Sequence, residues 1–243
     1  MSEAWRQLGT PRAGGVLLIA DHASAVVPRD IDLGIDPALL REHIAIDLGV
    51  AEVSELLVED GAVDAAILGG VSRLVVDCNR DEDAPGAVPI ASDGHSIPGN
   101  ALGHEGREAR LARFFRPYHA HIAATIAAQR PAMILSLHSF TPALASDPEQ
   151  ARPWHVGVLY NADDRLAAPA IAALSDEGMT VGDQLPYSGK LLNATMNRHA
   201  EANNIPYVGI EMRQDLVRDR AGQALFAARL ARMCRKVALN LTG

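Results

Sequence analysis

The feature that most constrains this chain is a buried run that ends on an imidazole. Pro131, Ala132, Met133, Ile134 and Leu135 lead directly into Ser136, Leu137, His138, Ser139 and Phe140. A short apolar run of this kind reads as a buried strand. In an open α/β sheet the strand ends open onto the ligand crevice. A second such run, residues 15–20, leads into Asp21 and His22, and a third apolar run, residues 206–210, ends at the carboxylate of Glu211. Two imidazoles and a carboxylate at three strand ends are the components of a metal hydrolase.

Helical stretches separate the apolar runs. A loose arm over 1–14 precedes a strand at 15–21 and a turn region at 28–34. Asp36 is a good N-cap and Pro37 suits the first helical position, so the spacing of Leu39, Leu40, His43, Ile44, Leu48 and Leu57 predicts a helix over 37–59. Strands are expected at 63–68 and 72–77. The stretch 78–104 is rich in Asp, Gly, Pro and Asn, and a loop of that length is usually functional or disordered. Then follow a helix over 105–129, the His138 strand, a loop over 140–153, a strand at 155–160, a helix at 164–175 and an edge strand at 179–182. A helix over 190–203, a strand at 206–211 and a helix over 215–239 close the chain. This alternation predicts a three-layer α/β/α fold with a mostly parallel mixed sheet covered on both faces.

Composition narrows the function. With 243 residues, 48% of them hydrophobic, the chain can bury one large core, and a single domain over 1–243 is expected. A formal charge of −8 argues against nucleic acid and anionic membranes as partners, although a local Arg can still hold a small anion. No apolar stretch reaches the roughly 20 residues of a membrane span, and the first residues lack a signal-peptide pattern. Cys78 and Cys234, without metal-ligand spacing, read as reduced thiols of a cytoplasmic protein. Neither a Walker phosphate loop nor a Gly-x-Gly-x-x-Gly turn is present, and no second carboxylate cluster suggests a two-metal phosphoesterase.

His22 reads as a metal ligand or as a turn residue bonded to backbone. His138 is the stronger ligand candidate, because polar side chains inside a buried run need partners. His43 and Asp47 share a face if 37–59 is helical, either bonded to each other or reaching a metal or substrate. Catalytic zinc usually takes three protein ligands plus water, which makes Asp47 the simplest third ligand. Glu211 is a general base near the metal, or an ion-pair partner of Arg213. Arg80 beside Asn79 suits a substrate carboxylate, and Arg73 and Arg213 compete as anion binders. Tyr187, before a turn, donates to substrate or lies on the surface. The polar set Asn193, Asn197, Arg198, His199 and Asn203 lines the pocket or is solvated.

The blocks Asp21-His22-Ala23-Ser24, Glu42-His43-Ile44-Ala45-Ile46-Asp47-Leu48-Gly49, Ser72 to Arg80, Ser136 to Phe140 and Gly209 to Leu216 occur together in this order. In that combination the chain resembles the N-formylglutamate amidohydrolase family, and it is distantly similar to the zinc carboxypeptidases. The resemblance implies a zinc-exopeptidase-like fold of the phosphorylase/hydrolase kind and one zinc ion. It implies His22 and His138 as metal ligands, Asn79 and Arg80 as receivers of a substrate carboxylate, and Glu211 as the group that activates water. By the same resemblance Tyr187 matches a mobile substrate-covering tyrosine. The carboxypeptidase Glu three residues after the first His is Ala25 here, so either another carboxylate completes the site, with Asp47 the choice, or metal affinity is weak. The implied reaction is hydrolysis of N-formyl-L-glutamate to formate and L-glutamate in histidine degradation; the alternatives are a related metal-dependent amidase or carboxypeptidase-like enzyme acting on another N-acyl amino acid, and a protein of this fold that binds an acidic metabolite without turnover. Arg213 or an Asn such as Asn197 would steady the oxyanion or the substrate, with His43 also lining the site. The expected partner is a small acidic N-acyl amino acid, and the expected state a monomer or homodimer.

Overall fold

Four parallel strands form the middle of the computed structural model, which describes residues 4–239. Residues 1–3 and 240–243, which the expected arm and the single domain over 1–243 include, lie outside the described residues. The strands are β1 Trp5–Gly9, β2 Val16–Ala20, β3 Ala65–Gly69, β4 Ala91–Ser92, β5 His95–Ser96, β6 Met133–Phe140, β7 Val156–Leu159, β8 Val181–Asp183 and β9 Tyr207–Arg213. The helices are α1 Val50–Glu59, α2 His104–Arg110, α3 Arg116–Ala128, α4 Ala167–Asp176, α5 Ala194–His199 and α6 Arg220–Leu239. A π-helical turn at Leu111–Phe115 makes α2 and α3 one continuous rod.

The seven-stranded sheet has the order β1-β3-β2-β6-β9-β7-β8. Strands β3, β2, β6 and β9 are mutually parallel, while β1 at one edge and the β7–β8 pair at the other run the opposite way. Side chains alternate between the faces, as strand geometry requires. Leu18, Leu68, Leu135, Leu137 and Ile210 pack with α1, α4 and α6 on one face. Leu17, Ile19, Ile67, Ile134 and Tyr207 pack with Leu111, Phe114, Tyr118, Ile122 and Met196 from the long rod and α5 on the other. The expected three-layer α/β/α architecture with a mostly parallel mixed sheet is therefore the observed one. No described helix is long and apolar enough to cross a membrane.

Five local expectations are corrected. Residues 5–9 of the presumed loose arm form β1, an antiparallel edge strand on β3. The helix expected over 37–59 splits into a 3-10 turn at Pro37–Arg41, capped by Asp36 Oδ1 accepting from Ala38 N at 2.8 Å, and α1 from Val50. The interruption is built at Gly49, whose φ of 80° suits glycine and whose missing Cβ would lie 2.6 Å from Val217 Cγ2. Residues 72–77 are not a strand. Ser72 Oγ donates to Ala45 O and accepts from Leu74 N, and Val75 N bonds back to Ser72 O, so the run is a buried turn. The helix expected over 190–203 shortens to α5 and a 3-10 turn at Glu201–Asn203, and the last helix starts at Arg220 instead of 215. The long loop contains the β4–β5 hairpin and 3-10 turns.

Candidate active site

The functional groups collect where β2, β6 and β9 end. His138 and Glu211 are directly paired in the β6–β9 register. Period-two alternation puts both on the face shared by Ile134 and Tyr207, the face covered by α3 and α5. Asp21 and His22 follow the last residue of β2, the other neighbour of β6. The cleft above them is lined by His22, His43, Asp47, Arg73, Asn79 and Arg80 from the first half of the chain. His138, Ser139, Phe140, Thr141, Tyr187, Leu192 and Glu211 complete it.

Asp47 reaches this point because it is not helical. The break before α1 lets Asp47 N donate to His22 O at 3.0 Å, and the side chain, 3% exposed, turns inward. Its Oδ2 lies 3.3 Å from His22 Nδ1 and 2.9 Å from His138 Nδ1. Behind the imidazoles stand two more carboxylates: Asp77 Oδ1 at 2.7 Å from His22 Nε2, and Asp21 Oδ2 at 3.4 Å from His138 Nε2. Carboxylates thus face both nitrogens of each ring, and protons on the imidazoles or a metal ion can balance them. With a metal ion bound, each Nε2 would keep its proton toward Asp77 or Asp21 and each Nδ1 would give its lone pair to the ion beside Asp47.

A divalent metal ion fits that position. The ligand atoms of His22, Asp47 and His138 all lie within 4.8 Å of one another. Zinc bonds of about 2.0–2.2 Å at tetrahedral angles separate neighbouring ligands by roughly 3.3 Å, close to the observed spacings. The carboxylates on the far side of each imidazole are the orienting partners that zinc-binding histidines use. The electrostatics agree. Four buried carboxylates (Asp21, Asp47, Asp77 and Glu211) surround the site, and Arg73 bridges two of them, at 3.2 Å to Asp47 Oδ1 and 2.8 Å to Asp77 Oδ2. Burial disfavours charge on Asp47 and Asp77, but neighbouring His22 and Arg73 outweigh it and hold both carboxyls below their ordinary range. Burial opposes charge on the imidazoles too, yet the surrounding carboxylates raise both. The site is one buried divalent-metal position made by His22, Asp47 and His138.

Glu211 is the exception among the carboxylates. It is 8% exposed, and its Oε2 has no hydrogen-bond partner. Burial, reinforced by Asp47, raises its carboxyl to about 7, a range in which it can both take and return a proton. Room for the loop above it comes from Gly157, its register partner on β7, where a Cβ would lie 2.4 Å from Leu185 O.

Asn79 Oδ1 accepts from Thr195 N at 3.1 Å, so the amide presents its NH2 group as the free end. Arg80 has only a 4.0 Å approach to Asp77 and a 3.4 Å bond to Asn79 O, which leaves its guanidinium available. His43 Nε2 bonds to Asp93 Oδ2 at 2.9 Å, so His43 and Asp47 do not meet through helical spacing, although both line the cleft. Tyr187 is tied to Arg152 NH1 at 3.0 Å.

Two expected site residues are elsewhere. Arg213 shares the face of Glu211 but lies at the end of β9, where it donates to Asp215 Oδ1 at 2.8 Å and to Pro153 O at 3.3 Å and does not line the cleft. Asn197 is exposed and accepts from Asn161 and Asn193, on the far side of α5 from the site. Several contributors escaped sequence reasoning. Tyr118 OH and Thr195 Oγ1 donate to Asp21 Oδ1 at 3.0 and 2.8 Å, joining the long rod and α5 to the metal position. The only signal for Asp21 and Asp77 was their place in polar blocks beside His22 and Asn79.

The comparisons with known proteins agree with this geometry. The family model described as N-formylglutamate amidohydrolase matches residues 14–218. A solved structure of a gene product from Agrobacterium tumefaciens is 30% identical, with a TM-score of 0.91 over 99% of this chain and 97% of that one. The N-formylglutamate amidohydrolase from Ralstonia eutropha is 20% identical, with a TM-score of 0.72 over 98% of both chains, a likeness of fold. None of the curated proteins matches the sequence.

Proposed function

Because the chain belongs to the N-formylglutamate amidohydrolase family, we propose that its cleft hydrolyses the amide bond of N-formyl-L-glutamate, giving formate and L-glutamate. The observation that carries the reading is the convergence of His22 Nδ1, His138 Nδ1 and Asp47 Oδ2 beneath Glu211, whose Oε2 has no partner.

When bound by His22, Asp47 and His138, a divalent ion such as zinc supplies a Lewis acid that polarises the carbonyl and makes water a better nucleophile. Glu211 takes a proton from the attacking water and delivers it to the leaving nitrogen. A carboxyl raised to about 7 suits both halves of that task. Asn79 Nδ2 and Arg80 hold a substrate carboxylate, and each presents only donors to the cleft. Phe140 and Leu192 give the cleft an apolar wall that limits water. Arg73 stays on Asp47 and Asp77, where it fixes the ligand carboxylate.

In this reading residues 1–243 form one catalytic domain, working as a monomer or homodimer in the cytoplasm. Two buried free thiols, Cys78 and Cys234, support the reducing compartment. The test is L-glutamate release from N-formyl, N-acetyl and N-succinyl glutamate, before and after chelation. Turnover of the formyl compound that is lost on chelation and regained with zinc is expected. Turnover of only the acetyl or succinyl compound would overturn the substrate, and activity untouched by chelation would overturn the chemistry.

A further inference from the structure

The cations around the cleft differ in what they already hold. Arg73 is held by Asp47 and Asp77, and Arg213 by Asp215. Arg80 is free to meet an anion. Arg152 is the unexplained one. It is 5% exposed, yet its N–H groups meet only neutral acceptors: Gln150 Oε1 at 3.1 and 2.9 Å, Thr141 O at 3.3 Å and Tyr187 OH at 3.0 Å. Among the described residues no carboxylate lies within ion-pair distance of it. A buried guanidinium without an anion is costly.

Arg152 does not line the cleft, but two of its partners, Thr141 and Tyr187, do. Its guanidinium also lies over the Tyr187 ring, 5.1 Å from the centroid. The hydrogen bond has a direction. Arg152 can only donate, so Tyr187 Oη accepts, and the phenol's own proton is left to point elsewhere. Among the described residues that proton has no protein acceptor. The cationic neighbour polarises the O–H and makes it a better donor to an anion.

We propose that Tyr187, positioned and polarised by Arg152, binds the second carboxylate of a dicarboxylate ligand while Asn79 and Arg80 bind the first. Arg80 at the cleft, with only a 4.0 Å approach to Asp77, and Arg152 behind Tyr187, with no carboxylate partner among the described residues, come from different loops and match two carboxylates on one small molecule. The subsite makes the chain selective for glutamyl over glutaminyl compounds, which differ by one charge at the same shape. Tyr187 is the contacting group and Arg152 a positioning residue. The ligand's identity rests on the deformylase reading, whereas the demand for a second carboxylate rests on Arg152 itself.

The test is calorimetric binding of L-glutamate and L-glutamine to the zinc-loaded protein, with N-formyl-glutamate turnover followed in parallel. Wild type should prefer glutamate by roughly 10–100-fold, the range of a charge-assisted hydrogen bond. Arg152→Gln and Tyr187→Phe should each lose most of that preference, and Arg152→Lys should recover part of it. Tyr187→Phe removes one hydroxyl and guards against a folding defect in the Arg152 variants. No glutamate preference in wild type, or equal loss for both ligands in the variants, overturns the subsite. Absent turnover with an intact, Arg152-dependent preference overturns the deformylase reading and leaves the subsite standing.

Discussion

At the residue scale, chemistry depends on groups whose ordinary partners are missing. Glu211 Oε2 and Asp21 Oδ2 are both buried without a hydrogen-bond partner. Glu211 faces the cleft, so Glu211→Gln should keep one equivalent of bound zinc and lower kcat by about 10²–10⁴-fold, measured by metal analysis and formate release on the same sample. Asp21 stands behind His138 and is itself held by Tyr118 and Thr195. Replacing it should weaken zinc roughly 10–100-fold, as outer partners of metal-binding histidines do; competition of Asp21→Asn with a chromophoric chelator measures this, and affinity equal to wild type would refute the brace. His22, His138, Glu211, Asn79 and Arg80 were legible as polar residues ending apolar runs or sharing one block. Arg213 was misleading because it neighbours Glu211 in sequence, while its side chain is drawn off by Asp215. Arg152 gave no signal, since a lone Arg in a Pro/Ser/Asp loop looks solvated until its burial is seen.

At the scale of elements, the break before α1 determines whether Asp47 can serve. Apolar spacing over 37–59 supports one helix, and that pattern is what the sequence displays. A single long helix would have carried Asp47 on its surface. Gly49, with φ of 80° and Val217 pressed against its Cα, instead starts α1 late and frees the preceding turn to fold inward. Gly49→Ala should lower stability by about 2–3 kcal/mol, from positive-φ strain and overpacking against Val217, and should also weaken zinc binding because Asp47 shifts. Thermal unfolding of the metal-free protein separates the first effect from the second. The turn at 72–77 was read as a strand for a related reason. Val71, Leu74, Val75 and Val76 are buried, but they contact several elements instead of one sheet face, and burial alone does not distinguish these cases.

For the whole molecule, the parallel centre of the sheet was legible because β2, β6 and β9 are covered on both faces and read as uninterrupted apolar runs. One edge was legible too, since the edge strand expected at 179–182 is β8, but the other was not: β1 is a half-exposed, polar strand recognisable only from its pairing with β3. Beneath the site, His119 Nδ1 and His199 Nε2 lie 2.9 Å apart, joining the long rod to α5, and burial holds both imidazoles down to about 4. Both are therefore neutral when folded, while the unfolded chain binds protons near pH 6.5. Their contribution is complete above pH 6.5 and is lost as pH falls toward 4, by up to ~3 kcal/mol for each imidazole. Urea unfolding across that window should show the loss, reduced in the His119→Gln/His199→Gln double variant; an identical acid slope would rule the pair out as its cause. The most direct test of the central claim is a zinc titration of the chelated protein with formate release from N-formyl-glutamate read at every step. The account predicts activity that rises from zero in proportion to zinc and levels off at one equivalent. Activity already present before zinc is added, or none at saturation, would contradict it.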